Sequence, residues 1–288
     1  MFFLDFFISP ICLISMLMNY TVVLSIAGSD SSGGAGIQAD IKAMSAIGVF
    51  ATTAITAITA QNTTGVSAIQ GISPDVVAAQ IDAVFTDMPP AAVKIGMLFS
   101  AEIANVVANR LRYHRSANII LDPVMVSTSG SKLIADEAIE TIKRDLFPIA
   151  EILTPNRFEA ELLSGVKLSS PTHCGEAAAK ILEFGGKYVL IKGGHFDGKK
   201  MIDYLFDRNG LVREYEAEKV ETLNTHGTGC TLSSAIASYM ALGNSAENAV
   251  AMAKEYLQSA LISGSDVTIG HGHGPVNHFF NPNSLKKI

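Results

Sequence analysis

The residues whose types and spacing could do chemistry lie late in the chain, in N-T-H-G-T-G-C-T-L-S-S-A-I, residues 224–236. Gly227 and Gly229 let the backbone come close to a ligand, and an apolar helical run starts near Thr228, so the unpaired N–H groups of a helix tip point at whatever sits there. Such a tip attracts anions. Two nucleotide motifs are excluded by spacing. The Walker pattern G-x-x-x-x-G-K-[ST] occurs nowhere in the chain, and a dinucleotide fingerprint needs a third glycine where Leu232 stands. Cys230, beside His226, also opens a thiol-nucleophile chemistry, since a helix N-terminus lowers a thiol pKa. The plainer alternative for Cys230 is a small buried hydrophobe.

These residues need a scaffold, and the chain alternates short β-rich runs with amphipathic segments. Strands are expected over 21–27, 54–60, 92–97, 119–122, 152–154 and 189–192. Helices are expected where Ile37, Ile41, Met44 and Ile47 recur, after Ser73-Pro74-Asp75, and over 101–114, 135–146, 156–164, 175–184, 228–242 and 245–262. A hairpin is expected around Asn209-Gly210. Buried strands joined by helices imply one three-layer α/β/α domain around a mostly parallel sheet. Ligands of such sheets bind beyond the strand carboxyl ends. That singles out Gly28-Ser29-Asp30, Lys94, Asp122, Thr154-Pro155-Asn156, Lys192-Gly193-Gly194 and the 227–230 loop.

The composition fits this picture. Of 288 residues, 48% are hydrophobic and 17% charged, and the formal charge of −6 carries no basic stripe, which argues against a nucleic-acid partner. Three scattered cysteines, Cys12, Cys174 and Cys230, suit a reducing, cytoplasmic setting better than a disulfide framework. The apolar opening over 1–17 has no preceding basic residue, is broken by Asp5 and Pro10, and falls short of the roughly 20 residues of a spanning helix. It is expected to lie outside the fold, which begins near Met18 and runs to 288, and no stable membrane association is expected.

Eight stretches in order carry a resemblance: G-S-D-S-S-G-G-A-G-I-Q-A-D (28–40), T-A-Q-N-T (59–63), K-I-G-M (94–97), L-D-P-V-M (121–125), T-P-N-x-x-E (154–159), K-G-G-H (192–195), N-T-H-G-T-G-C-T-L-S (224–233) and G-H-G-x-G-P-V-x-H-F (270–279). From about Tyr20 to Phe280 the chain resembles the bacterial hydroxymethylpyrimidine/phosphomethylpyrimidine kinases of thiamine biosynthesis, of the ribokinase-like superfamily. The resemblance implies ATP-dependent phosphorylation of 4-amino-5-hydroxymethyl-2-methylpyrimidine, then of its monophosphate, with Mg²⁺, by a homodimer. Pyridoxal kinases share the scaffold and a hydroxymethyl-bearing nitrogen ring, and stand as the rival reading.

What the resemblance implies for single residues follows from the needs of phosphoryl transfer, which are positioning and charge stabilisation. The amides around Gly227, Thr228 and Gly229, with Thr225 beside them, form an anion hole. Lys192 meets the nucleotide phosphates. Cys230 is either the base, as a thiolate favoured by the helix end, or a group that shapes the pocket and orients the hydroxyl. Asp122 and Glu159, with Asn156, order hydrated Mg²⁺, although Asn156 and Glu159 also read as an N-cap and its capping-box partner. Gln61 offers the donor and acceptor that an aminopyrimidine needs. Asp40 is a second candidate ligand of the ring, and Gly28, Met97 and Val124 wall it. His271 and His273 lack the further ligands of a zinc site.

Overall fold

The computed structural model describes residues 18–125, 135–170, 172–193 and 200–287. The extension at 1–17, and Gly194 and His195 of the K-G-G-H stretch, lie outside the described residues. A nine-stranded sheet runs in the order β3-β2-β1-β4-β5-β6-β7-β8-β9. Strands β1 (Val22–Asp30), β2 (Phe50–Asn62), β4 (Ala92–Ile95), β5 (Ile119–Leu121), β6 (Ile152–Leu153) and β7 (Tyr188–Ile191) are parallel. Antiparallel strands close the edges: β3 (Gly65–Gly71) on one side, β8 (Lys200–Asp207) and β9 (Gly210–Glu218) on the other.

The central strands alternate their apolar residues between two cores, as the period of two demands. Leu24, Ile26, Val93, Ile95, Ile119 and Leu121 face one core. It is covered by α2 (Pro74–Asp87), α3 (Ala101–Tyr113), α4 (Asp136–Thr141), α5 (Arg157–Ser164) and α6 (His173–Glu183). Val23, Ala92, Ile120, Ile152 and Leu190 face the other, covered by α1 (Gly36–Ile47), α7 (Thr228–Ala241) and α8 (Ala246–Ser263). This is the expected α/β/α sandwich. The strand order reverses between β1 and β4, which makes a crevice at their carboxyl ends, and the tips of α1 and α7 flank it.

Two elements differ from expectation. The helix read over 135–146 is regular only to Thr141; it widens into a π-turn over Ile142–Leu146 and ends as a 3-10 turn at Phe147–Ile149, where Pro148 cannot donate. Strand β3 has no counterpart in the reading. Six of its seven residues are exposed, so no apolar alternation betrays it. An Asx turn makes the hairpin, with Asn62 Oδ1 accepting from the Thr64 amide at 2.9 Å and its hydroxyl at 2.7 Å.

Candidate active site

The tip of α7 is built by contact between two glycine-rich loops. Gly227, its N-cap, has φ 79°, and a Cβ there would run into the Gly34 carbonyl. Neither a side-chain cap nor an acidic residue closes the first turn. Thr228 N–H reaches back to the Thr225 carbonyl at 3.3 Å, leaving the Gly229 and Cys230 amides as the donors an anion would meet. Cys230 also receives the Gly36 amide from the tip of α1.

Charged groups gather at this tip. A Cβ on Gly229 would lie 3.4 Å from Lys192 Nζ and 3.5 Å from Asp122 Oδ2, in van der Waals contact with the pair. Lys192 Nζ donates to Asp122 Oδ1 at 2.8 Å, and the two side chains are 14% and 2% exposed. Thr154 and Ser233 hydroxyls also reach Asp122, at 3.1 and 3.4 Å. Burial pushes Asp122 up, but Lys192 and Lys94 outweigh it and hold its carboxyl below the usual range. Burial likewise opposes the charge on Lys192, and Asp122 and Glu159 more than restore it.

Glu159 is the exception. Burial and the charge of Asp122 push it to about 7, against Lys192 and the Asn156 and Met125 amides. Both arms of the capping box exist: Asn156 Oδ1 accepts Glu159 N–H at 3.0 Å, and Glu159 Oε2 accepts Asn156 N–H at 2.8 Å. The Asn156 amide oxygen is thus spent on its own helix. Asp122 and Glu159 remain as two carboxylates that repel one another, with Lys192 attracting both.

At the ends of β1 and β4, Gly28 and Met97 touch, since a Cβ on Gly28 would lie 2.5 Å from the Met97 methyl. Half-buried Val124 follows Asp122, with its N–H on the Asp122 carbonyl at 2.8 Å. Gln61, at the end of β2, lies 3.3 Å from His226 Nε2. His226 Nε2 pairs with Asp30 Oδ2 at 2.8 Å, on the far side of the glycine loop. Burial raises Asp30, but His226, Ser32 and the Ala35 amide bring it down to about 2.

Two expectations change. Asp40 is not at the acceptor pocket. It is 0% exposed, and its oxygens accept Lys94 Nζ at 2.8 and 2.9 Å, Ser25 at 2.5 Å and Ser234 at 2.6 Å. The carboxylate ties α1, β1, β4 and α7 together beneath the tip. Nor is Cys230 a thiolate: burial pushes it up to about 11, with Asp40 and Asp122 adding to that, against Lys94 and the Gly36 amide. His226 spends its Nε2 on Asp30.

Sequence reasoning quoted Lys94, Asp30 and His226 within motifs without giving them these roles. Lys94 carried a signal. A lone lysine inside the apolar run A-V-K-I must find a buried acid, and Asp40 is that acid. His271 and His273 use their amides on Thr63, at 3.2 Å to its hydroxyl and 3.1 Å to its carbonyl, laying the C-terminal segment over the β2–β3 turn. Beside the loop that leads into α7, a cleft of about 210 Å³ is bounded by Thr222, Leu223, Asn224 and the stretch Ser265–Ile269.

The family model described as phosphomethylpyrimidine kinase matches residues 30–277. The chain belongs to that family. A hydroxymethylpyrimidine/phosphomethylpyrimidine kinase of Rhizobium meliloti is 46% identical over 259 residues, covering 90% of this chain and 97% of the relative. A thiamine biosynthesis bifunctional protein of Geobacter sulfurreducens is also 46% identical, over 256 residues; the match takes in 89% of this chain but only 52% of that longer protein. Among solved structures, an ADP complex of Bacillus subtilis pyridoxal kinase superposes with a TM-score of 0.83 at 34% identity, covering 90% of this chain and 98% of that one. A kinase solved with ADP therefore shares this fold, and the uncapped α7 tip lies within the residues that the family model matches. Among the described residues no helix is long and apolar enough to cross a membrane.

Proposed function

We propose that the chain transfers the γ-phosphoryl group of ATP to the hydroxymethyl group of 4-amino-5-hydroxymethyl-2-methylpyrimidine, and a second one to the resulting monophosphate, for thiamine biosynthesis. One observation carries the reading: an uncapped helix tip whose second residue, Gly229, sits against a buried Lys192–Asp122 pair. Phosphoryl transfer asks for fixed donors where charge develops, and little covalent help. The Gly229 and Cys230 amides and the Lys192 ammonium supply those donors without reorganising. The nucleotide base takes the cleft beside Asn224, within reach of phosphates held at the tip.

Asp122 and Glu159 are the groups that would hold Mg²⁺, with waters and phosphate oxygens completing its shell. When bound, the ion neutralises phosphate charge. Gln61 presents its amide to the ring, and Gly28, Met97 and Val124 bound the ring's faces. Cys230, a thiol at neutral pH, orients the attacking hydroxyl; a loose transition state needs little assistance from a base. We also read the enzyme as a cytoplasmic homodimer, and sedimentation equilibrium at twice the chain mass tests the second half of that statement.

ADP release is the deciding measurement, with the pyrimidine alcohol, its monophosphate and pyridoxal offered side by side in ATP and Mg²⁺. The pyrimidine compounds are expected to give the higher kcat/KM. The B. subtilis pyridoxal kinase likeness motivates the third arm, and a higher kcat/KM for pyridoxal overturns the reading.

A further inference from the structure

A third buried ion pair, toward the β8 edge of the sheet, touches the segment that carries Lys192. Lys254, on α8, donates from Nζ to Asp203 Oδ2 at 2.6 Å, and the side chains are 11% and 6% exposed. The remaining oxygen of Asp203, Oδ1, accepts the Gly193 amide at 2.9 Å. Gly193 directly follows Lys192, just past the last paired residue of β7, Ile191, which faces Tyr204 of β8. A Cβ on Gly193 would run into the Ile202 carbonyl. The backbone is therefore pressed against β8 where the ladder stops, and a carboxylate takes over the N–H that the ladder leaves.

The preceding N–H is held as well. Lys192 N–H reaches the Pro155 carbonyl at 3.0 Å, in the loop that leads into Asn156 and Glu159. Consecutive amides around Lys192 are thus anchored to two different elements. A lysine side chain is a flexible four-carbon stem ending in a point charge, so the accuracy with which its ammonium is delivered depends on how firmly its Cα is held. An ionised acceptor makes a stronger anchor than a neutral one. Left alone, a carboxylate so close to a phosphate-binding lysine would repel the phosphates. Lys254 cancels that charge.

We infer that Asp203 is a positioning residue: by holding the Gly193 amide it fixes the point from which Lys192 reaches the phosphates, while Lys254 balances its charge. This rests on the reading of Lys192 as a phosphate-binding cation. The kinase reaction does not require the pair as such, only an acceptor for Gly193.

Two double variants separate this role from simple stabilisation. Asp203→Asn with Lys254→Met and Asp203→Ala with Lys254→Met both abolish the ion pair, but only the first keeps an oxygen for Gly193. Steady-state kinetics with ATP and the pyrimidine alcohol should leave the asparagine double within about threefold of the wild-type kcat and kcat/KM for ATP. The alanine double should lose about tenfold or more in both, the direction expected of a displaced catalytic group. Lys192→Met is measured alongside. If both doubles share one kcat and one kcat/KM while Lys192→Met lowers them, the inference is overturned. If Lys192→Met changes neither KM nor kcat, the reading of Lys192 falls and takes the inference with it. A further measurement does not depend on the alanine double folding: the Gly193 amide of the wild-type protein should exchange with solvent at least tenfold more slowly than an unprotected amide, and exchange at the unprotected rate overturns the proposal.

Discussion

The two halves of the crevice are built from different materials. The half proposed to hold the phosphates, at the ends of β5 and β7 and the tip of α7, is made of buried charges: Asp122 with Lys192, Glu159 beside both, and Lys94 with Asp40 one layer down. The half read as the acceptor side, at the ends of β1 and β2 and along β3, holds one buried acid, Asp30 paired with His226, and otherwise amides and hydroxyls nearer the surface, where Gln61 binds through Thr59 and Ser31. A buried charge that loses its partner costs far more than an exposed amide that loses one. The buried charges of the phosphate half are therefore bound to the fold's stability, whereas the amide of Gln61 is not.

Mutations test this contrast. Lys192→Met should lower kcat by about 10²–10³-fold, the loss seen when one fixed donor to a transition state is removed; single-turnover assays read it, and a change confined to KM would count against a transition-state role. Lys94→Met should destabilise the protein by about 3–5 kcal/mol, because Asp40 is left charged and buried, and combining it with Asp40→Leu should restore part of that in urea unfolding. Gln61→Ala should raise the KM of the pyrimidine by about tenfold to a hundredfold while leaving urea unfolding and the KM of ATP in place. Loss of stability in that variant would erase the difference between the halves.

Acidity gives a smaller effect. Glu159 sits at about 7, raised from 4.5 chiefly by burial, so the native protein retains a proton there that the unfolded chain releases. Its contribution is fully present below about 4.5 and is lost as pH rises through 7. The unfolding free energy of the wild type should therefore decline relative to Glu159→Gln over that window, and a pH-independent difference would contradict the raised value. The least effect is expected from Cys230→Ser. A catalytic base contributes about 10²–10⁴-fold, whereas a thiol that only orients the hydroxyl should cost less than about tenfold on replacement, in steady-state turnover.

Legibility in the sequence followed the same division. Buried strands announce themselves as apolar runs, and all six parallel strands and their covering helices lie close to where the pattern puts them. The capping box at Asn156 and Glu159 was readable because its two arms lie three residues apart. Strand β3 was not, because it is an exposed edge held by backbone pairing to β2 that leaves no hydrophobic period. Asp40 was misplaced for a related reason. Its partners Ser25, Lys94 and Ser234 lie 15, 54 and 194 residues away, and nothing local says whether a helix carboxylate points at a ligand or into a core.

The order of apolar runs, the glycines at 227 and 229 and the eight motif stretches determined on their own a parallel α/β sandwich with an anion-seeking helix tip, since each is a matter of local backbone preference and short-range spacing. Tertiary structure decided how charge is distributed around that tip: Lys94 facing Asp40, Glu159 pushed to about 7, Cys230 held as a thiol near 11. Burial and through-space charge set those states. Both depend on residues brought together from distant strands and helices, which no stretch of chain contains by itself.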